Sequence, residues 1–415
     1  MPVHSDSYGH MEHETKNSER LTIFIAAAAG MAISNNYALQ PVLPIVARDL
    51  SVSQETTGLI VGSLQIGYMA GILLLVPLGD KLKPATLVAW QFLLLGLALF
   101  LGAAAPSLDA LLAAACLVGA MATNAVHLSG VAFRVSPPQT RGRAVGTVAM
   151  GISAGILLSR FVGGLIAQMS DWRVMLASFG VVAVVFGGLC WRLLPRHASQ
   201  QSQEPYLRLL ISLTDLPRQH PLLREGIAVG ACWFFIFSAL WVCLALGLAE
   251  PPLRLTPAQV GLFGFAGLLG LFATRPAGQF ADRWGHRPVI LGGFLLVVIG
   301  CLFLYVSSAS IIGTAIGVAL FDMGCFAAQV ANQTRLLAID AAARSRIYSV
   351  YMFTYYAAGA IGSVVGPMIF LRYGWSAMCE LSIVLACFGF GLTLMNHRRA
   401  RREDNRMPSL DDEAV

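Results

Sequence analysis

Residues 278–287 read Gly-Gln-Phe-Ala-Asp-Arg-Trp-Gly-His-Arg, a polar turn set between two long apolar runs, 258–280 and 288–307. Glycine permits tight backbone geometry in such a short connection, and Asp282 can accept hydrogen bonds from the N-terminus of a neighbouring helix. A second turn, Val76-Pro77-Leu78-Gly79-Asp80-Lys81-Leu82-Lys83, keeps the acid and the bases between apolar runs 57–79 and 85–105, but lacks the first and second glycines. The two turns belong to a longer correspondence. A shift of 203 residues places Gly58 and Leu59 on Gly261 and Leu262, Arg141 and Arg143 on Arg344 and Arg346, Gly163 on Gly366 and Trp172 on Trp375. With one gap, Asp80 falls on Asp282. The chain is written twice, and the even division of its apolar runs makes these parallel repeats about an axis along a membrane normal.

The solvent of this chain is lipid. Of its 415 residues 56% are hydrophobic and 12% charged, and the mean hydropathy is +0.69. A soluble enzyme carries about twice that charged fraction, and a disordered chain far fewer apolar residues. The 41 glycines suit close approach of helices in a bilayer. All the cysteines, from Cys116 to Cys387, fall in or beside apolar runs and read as small buried hydrophobes, not as a disulfide framework. A span needs about 20 apolar residues. Twelve such runs follow one another at 21–47, 57–79, 85–105, 110–133, 144–168, 174–193, 226–249, 258–280, 288–307, 310–334, 347–371 and 375–396. The fold class expected is an all-α membrane protein of two pseudo-symmetric six-helix bundles, and the leading polar residues leave no room for a cleavable signal peptide.

With the N-terminus inside, all of the 28 Lys and Arg except Arg48, Arg160, Arg173, Arg254 and Arg372 fall on the cytoplasmic side. The positive-inside rule therefore places both termini in the cytoplasm. The organisation expected is a cytoplasmic tail (1–20), a first bundle (21–194), a cytoplasmic linker rich in Gln, Ser, Pro and Arg (195–225), a second bundle (226–396) and a second tail (397–415). The basic pI reflects loop charge and implies no nucleic-acid partner. His4, His10 and His13 in the first tail read as solvated residues with no metal site.

The turn at 278–287 matches the G-x-x-x-D-[RK]-x-G-x-[RK] loop of the major facilitator superfamily, and the whole chain from the first span to the last resembles that family, its sugar and drug efflux permease branch most of all. The stretch Ala115-Cys116-Leu117-Val118-Gly119 lacks the Arg that opens span 4 in many proton-driven drug exporters, and span 5 carries Ser159 and Arg160 before Gly163 and Gly164 instead of a Gly-Pro pair. The resemblance implies a monomeric inner-membrane secondary transporter that uses the proton gradient, binds no cofactor or metal, and takes a small organic solute by alternating access. It also implies a central cavity lined by spans 1, 4, 7 and 10. Asp282 is then expected to face the start of span 5 (Arg141, Arg143) and Asp80 the start of span 11 (Arg344, Arg346), closing the cytoplasmic side together with Arg283.

Formal charges well inside spans are costly and mark function by default. Here they are Arg160, Asp322 and Glu380, the last standing near the end of a peripheral span. Asp322 lies about 18 Å from the outer end of its span and Arg160 about 12 Å, so long side chains can bridge the difference. Asp322 is expected to be the coupling carboxylate with Arg160 as partner, since burial and a nearby cation pull its protonation in opposite directions. A permanent ion pair and direct substrate contact are the alternatives, and His127 is a second proton carrier. Asn36 and Gln40 beside Pro41 and Pro44 in span 1, Asn124 in span 4, Phe234, Ser238 and Trp241 in span 7, and Gln329 and Gln333 in span 10 are the substrate-cavity candidates. Tyr348, Tyr351 and Tyr355 stripe span 11 and read as packing.

No phosphate loop, H-E-x-x-H, C-x-x-C or G-x-S-x-G elbow is present, which argues against ATP hydrolysis or enzyme chemistry. Export by proton antiport is preferred on the resemblance alone, with proton symport, uniport, a membrane enzyme or a non-transporting sensor as alternatives.

Overall fold

The computed structural model describes residues 5–137, 140–195, 215–307, 309–340 and 343–404. Among these residues the chain consists of α-helices, 3-10 segments and short turns, with no strand. The helices are α1 (Ser5–Ser34), α2 (Leu43–Asp49), α3 (Gly58–Leu74), α4 (Pro84–Ala103), α5 (Leu108–Ala122), α6 (Asn124–Val135), α7 (Arg141–Met169) and α8 (Trp172–Leu193), followed by α9 (Pro221–Ala249), α10 (Pro257–Trp284), α11 (His286–Val306), α12 (Ile311–Leu337) and α13 (Arg344–Asp404). Nine candidate spans among the described residues are long and apolar enough to cross a membrane, one of them the long stretch Arg346–Arg398.

The expected spans meet the structure with three instructive differences. Span 1 is broken. After Ser34 the chain turns, passes through a 3-10 segment at Gln40–Val42 and resumes as α2, because Pro41 and Pro44 cannot donate to a continuous helical ladder. Span 4 is divided at Thr123, whose hydroxyl returns to the Ala120 carbonyl at 2.6 Å and separates α5 from α6. Spans 11 and 12 run on as α13, kinked at Gly374, where φ is +84°. The terminal segments also carry more helix than polar tails need, with α1 reaching back to Ser5 and α13 forward to Asp404. Both extensions are rich in Glu, Lys and Arg, residues that lose little rotamer freedom in a helix.

The chain forms two compact units, Met1–Tyr206 with Leu244–Phe265, and Leu207–Cys243 with Ala266–Val415. In the first, α1 packs on α7, α3 on α5 and α4 on α8. The α1/α7 crossing is backbone on backbone. A Cβ on Gly30 would collide with the Gly151 carbonyl oxygen and one on Gly155 with that of Gly30, an approach only glycine allows. The end of α9 and the start of α10 pack with this unit, Pro257 against Gly164 and Phe265 edge-on to Phe161, while Gln54 Nε2 donates to Glu250 Oε1 at 3.2 Å. In the second unit α11 packs on α12 and on α13. Its α9 face and the start of α13 share an aromatic cluster in which Phe234 stacks on Tyr355, ring centres 3.7 Å apart. Large apolar side chains such as Trp90, Leu97, Val181 and Val184 stay exposed, as expected where the surrounding medium is hydrocarbon and not water.

Candidate functional site

In the first unit the break in span 1 builds a polar group inside an apolar bundle. Losing the helical ladder between Ser34 and Gln40 frees this stretch to turn its amides inward, and Asn36 and Gln40 are both buried. Arg160, on α7, is 1% exposed. Its Nε donates to Gln40 Oε1 at 2.8 Å, and its guanidinium lies 5.1 Å over the ring of Tyr37. Asn36 is buried with no hydrogen-bond partner for either amide atom among the described residues. A buried amide without partners carries a desolvation cost that a ligand's polar groups can remove.

Asn124 and His127 do a different job in the same unit. Asn124 Nδ2 donates to the Val88 carbonyl at 3.0 Å, binding α6 to α4. His127 lies 2.7 Å by Nδ1 from Gln91 Oε1 and 3.1 Å by Nε2 from the Leu75 carbonyl, at the end of α3 just before the Asp80 turn. Both residues hold helices together within the first unit.

In the second unit Asp322, on α12, is also 1% exposed and accepts a bond from Trp241 Nε1, on α9, at 3.1 Å. Ser238 and Phe234 are buried on the same helix as Trp241. Gln329 is half-buried, and Gln333 is hydrogen-bonded to Tyr348. Gln40 of span 1 and Arg160 of span 5 thus meet in the first unit, and Trp241 of span 7 and Asp322 of span 10 in the second.

Of the expected gate, Arg141 Nε donates to the Ser136 carbonyl at 3.4 Å and its guanidinium lies 4.9 Å over Phe133. Arg143 makes an exposed ion pair with Glu19 at 3.5 Å. Arg283 is exposed and Arg346 half-buried. The side chains of Asp80, Asp282 and Arg344, like those of His4, His10 and His13, lie outside the described residues. Glu380 is exposed on α13.

Sequence reading passed over one cluster. Glu225 stands a full turn into α9, with its side chain 5% exposed, and accepts from Arg335 Nη1 at 2.6 Å and Arg287 Nη2 at 2.8 Å. It reads as the last residue of a polar linker, although the apolar run that begins at Gly226 continues its helix backward to Pro221. Tyr37 and Gln91 were also missed, since each gains its role from a partner far along the chain.

These features define an all-helical, multi-pass membrane protein built on two repeats. The sequence model of the Major Facilitator Superfamily matches residues 24–363 and 245–409. The chain is 33% identical over 369 residues to the uncharacterized transporter YgaY of Escherichia coli O157:H7, covering 89% of this chain and 93% of that one. It is 23% identical to a probable sugar efflux transporter of Helicobacter pylori strain HPAG1, over 79% of this chain and 83% of the other. The fold is shared with a bacterial homolog to the human lysosomal transporter Spinster in its inward-facing and occupied conformation, at TM-score 0.75 and 12% identity, over 92% of this chain and 97% of that structure. The chain belongs to the Major Facilitator Superfamily and is a membrane transporter.

Proposed function

We propose that this transporter is a proton-coupled exporter of a small organic solute, residing in the inner membrane as a monomer with both termini in the cytoplasm and working by alternating access. The observation that carries the reading is Asp322. A carboxylate 1% exposed in the middle of a membrane helix, accepting from the neutral indole of Trp241, is a group whose charge is expensive to keep there, and protonation relieves that cost. Opening the site to one side hydrates the carboxylate and favours release of its proton, and closing it favours uptake. Within the first unit Gln40 and Tyr37 fix the guanidinium of Arg160, the second buried charge proposed for the cycle. Within the first unit Asn36 and Gln40 offer amides, and within the second Ser238 and the aromatic rings of α9 offer a hydroxyl and apolar surface, the kinds of contact a small amphiphilic solute needs. Likeness to a probable sugar efflux transporter supports export over import. The turns at Asp80 and at Asp282 with Arg283, together with Arg141, Arg143, Arg344 and Arg346, are the proposed cytoplasmic gate.

The test is proton flux in proteoliposomes under an imposed pH gradient, with a small library of drugs, sugars and organic anions presented to wild type and Asp322→Asn. Substrate-evoked proton movement that vanishes in the variant is the expected result. Substrate flux with no proton movement in either protein replaces the proposal with uniport.

A further inference from the structure

The end of the second unit that carries Glu225 holds a pocket of about 920 Å³. Arg224 and Glu225 of α9, His286 and Arg287 at the start of α11, Arg335 at the end of α12 and His397 on α13 contribute to its lining. Among the described lining residues a single carboxylate, Glu225, bonds both Arg287 and Arg335, so two guanidinium charges meet one negative charge there, and Arg224 adds a third cation to the same wall. Arg335 is 5% exposed, and its Nη2 has no hydrogen-bond partner among the described residues. A buried guanidinium donor left over in a wall of excess positive charge is the signature of a site awaiting an anion.

The rest of the pocket says which anion. Trp284 lines it, exposed, with its indole stacked on Phe280 at 4.8 Å, and Leu392 and Pro288 extend the apolar side. An exposed indole at a helix end is at home where headgroups meet hydrocarbon. The ligand therefore needs a phosphate-like head and an apolar body. The cluster is moreover peculiar to one repeat, since the shift of 203 residues places Thr22 against Glu225 and Ala132 against Arg335, so the repeated architecture alone does not require it.

We propose that this pocket binds the phosphate of an anionic phospholipid, held by Arg224, Arg287 and Arg335, with the lipid chains leaving along Trp284 and Leu392. The anionic leaflet it would meet is the cytoplasmic one, a choice that rests on the orientation given by the Lys and Arg distribution. The test is independent of that orientation and of transport, because lipid nanodiscs present the same lipid to both faces. The full-length protein is reconstituted with phosphatidylglycerol in a phosphatidylcholine background, and retained lipid is measured by native mass spectrometry. Three forms are compared: wild type, Arg224→Gln, and Arg372→Gln as an exposed control at the other end of the unit. Wild type is expected to retain phosphatidylglycerol in clear preference to phosphatidylcholine. Arg224→Gln weakens that retention about fivefold, the effect of one basic residue at a lipid surface, while Arg372→Gln leaves it unchanged. Equal retention of the two lipids, or equal effects of the two substitutions, overturns the proposal. Inorganic phosphate that alone raises the unfolding temperature and displaces phosphatidylglycerol assigns the pocket to a soluble phosphate and overturns the lipid source. Arg224 is exposed and takes no part in the Glu225 ion pairs, so the variant tests the charge and not the fold.

Discussion

Glu225 and Asp322 are both buried carboxylates in the second unit, 7% and 1% exposed, and the hydrogen bonds they accept come from different kinds of donor. Glu225 is gripped by two guanidinium groups at 2.6 and 2.8 Å. Asp322 accepts from an indole that carries no charge. A carboxylate clamped between two cations ties helices together, whereas the role proposed for Asp322 is to exchange its proton as its hydration changes. Burial alone therefore does not identify a working acid. The partners do.

The comparison can be broken most directly by exchanging the roles. Asp322→Asn is expected to abolish substrate-evoked proton movement while leaving the folded protein intact, and Glu225→Gln to leave coupling in place. Retained coupling in the first variant, read by a pH-sensitive dye in proteoliposomes, would end the distinction. Glu225→Gln should instead destabilise the protein by about 3 kcal/mol, because it strands two cations at a helix end. Thermal unfolding followed by tryptophan fluorescence measures this, and adding Arg335→Met is expected to recover most of the loss. A smaller effect comes from Gln40→Leu, which removes the acceptor of Arg160 Nε at a cost of about 2 kcal/mol. It should appear as a higher KM for the transported solute together with a lower unfolding temperature. The smallest effect on transport belongs to His127→Ala. Its contacts to Gln91 and Leu75 are internal fastenings, so stability falls by about 1 kcal/mol and the ratio of protons to substrate is unchanged.

Much of this fold was legible in the sequence because a bilayer constrains it so strongly. Length and apolarity mark the spans, and Pro41 with Pro44 announce the interruption near Gln40 that the structure places there. The repeated Trp172 and Trp375 keep a related duty. One indole donates to Asp49 at 3.1 Å and the other to the Leu304 carbonyl at 2.8 Å. What the sequence could not disclose is partnership across long separations. Nothing local tells that Arg160 will rest on Tyr37, or that Asn124 will spend its amide on the backbone of α4. Glu225 was hidden for a different reason: it sits where a polar linker passes into a helix, and a hydropathy window reads such a boundary residue as solvated even when two arginines close over it.

Gly374 carries a last implication. The final two spans are joined at a single glycine with φ of +84° and ψ of 179° and no loop, an extended positive-φ conformation essentially confined to glycine, which costs other residues about 1–3 kcal/mol. At that end the two helices are joined with almost no loop. Antibodies, proteases and inserted epitope tags find their purchase on loops, so this junction is the place where such reagents fail, and a reporter inserted there would act as a wedge between two directly joined helices.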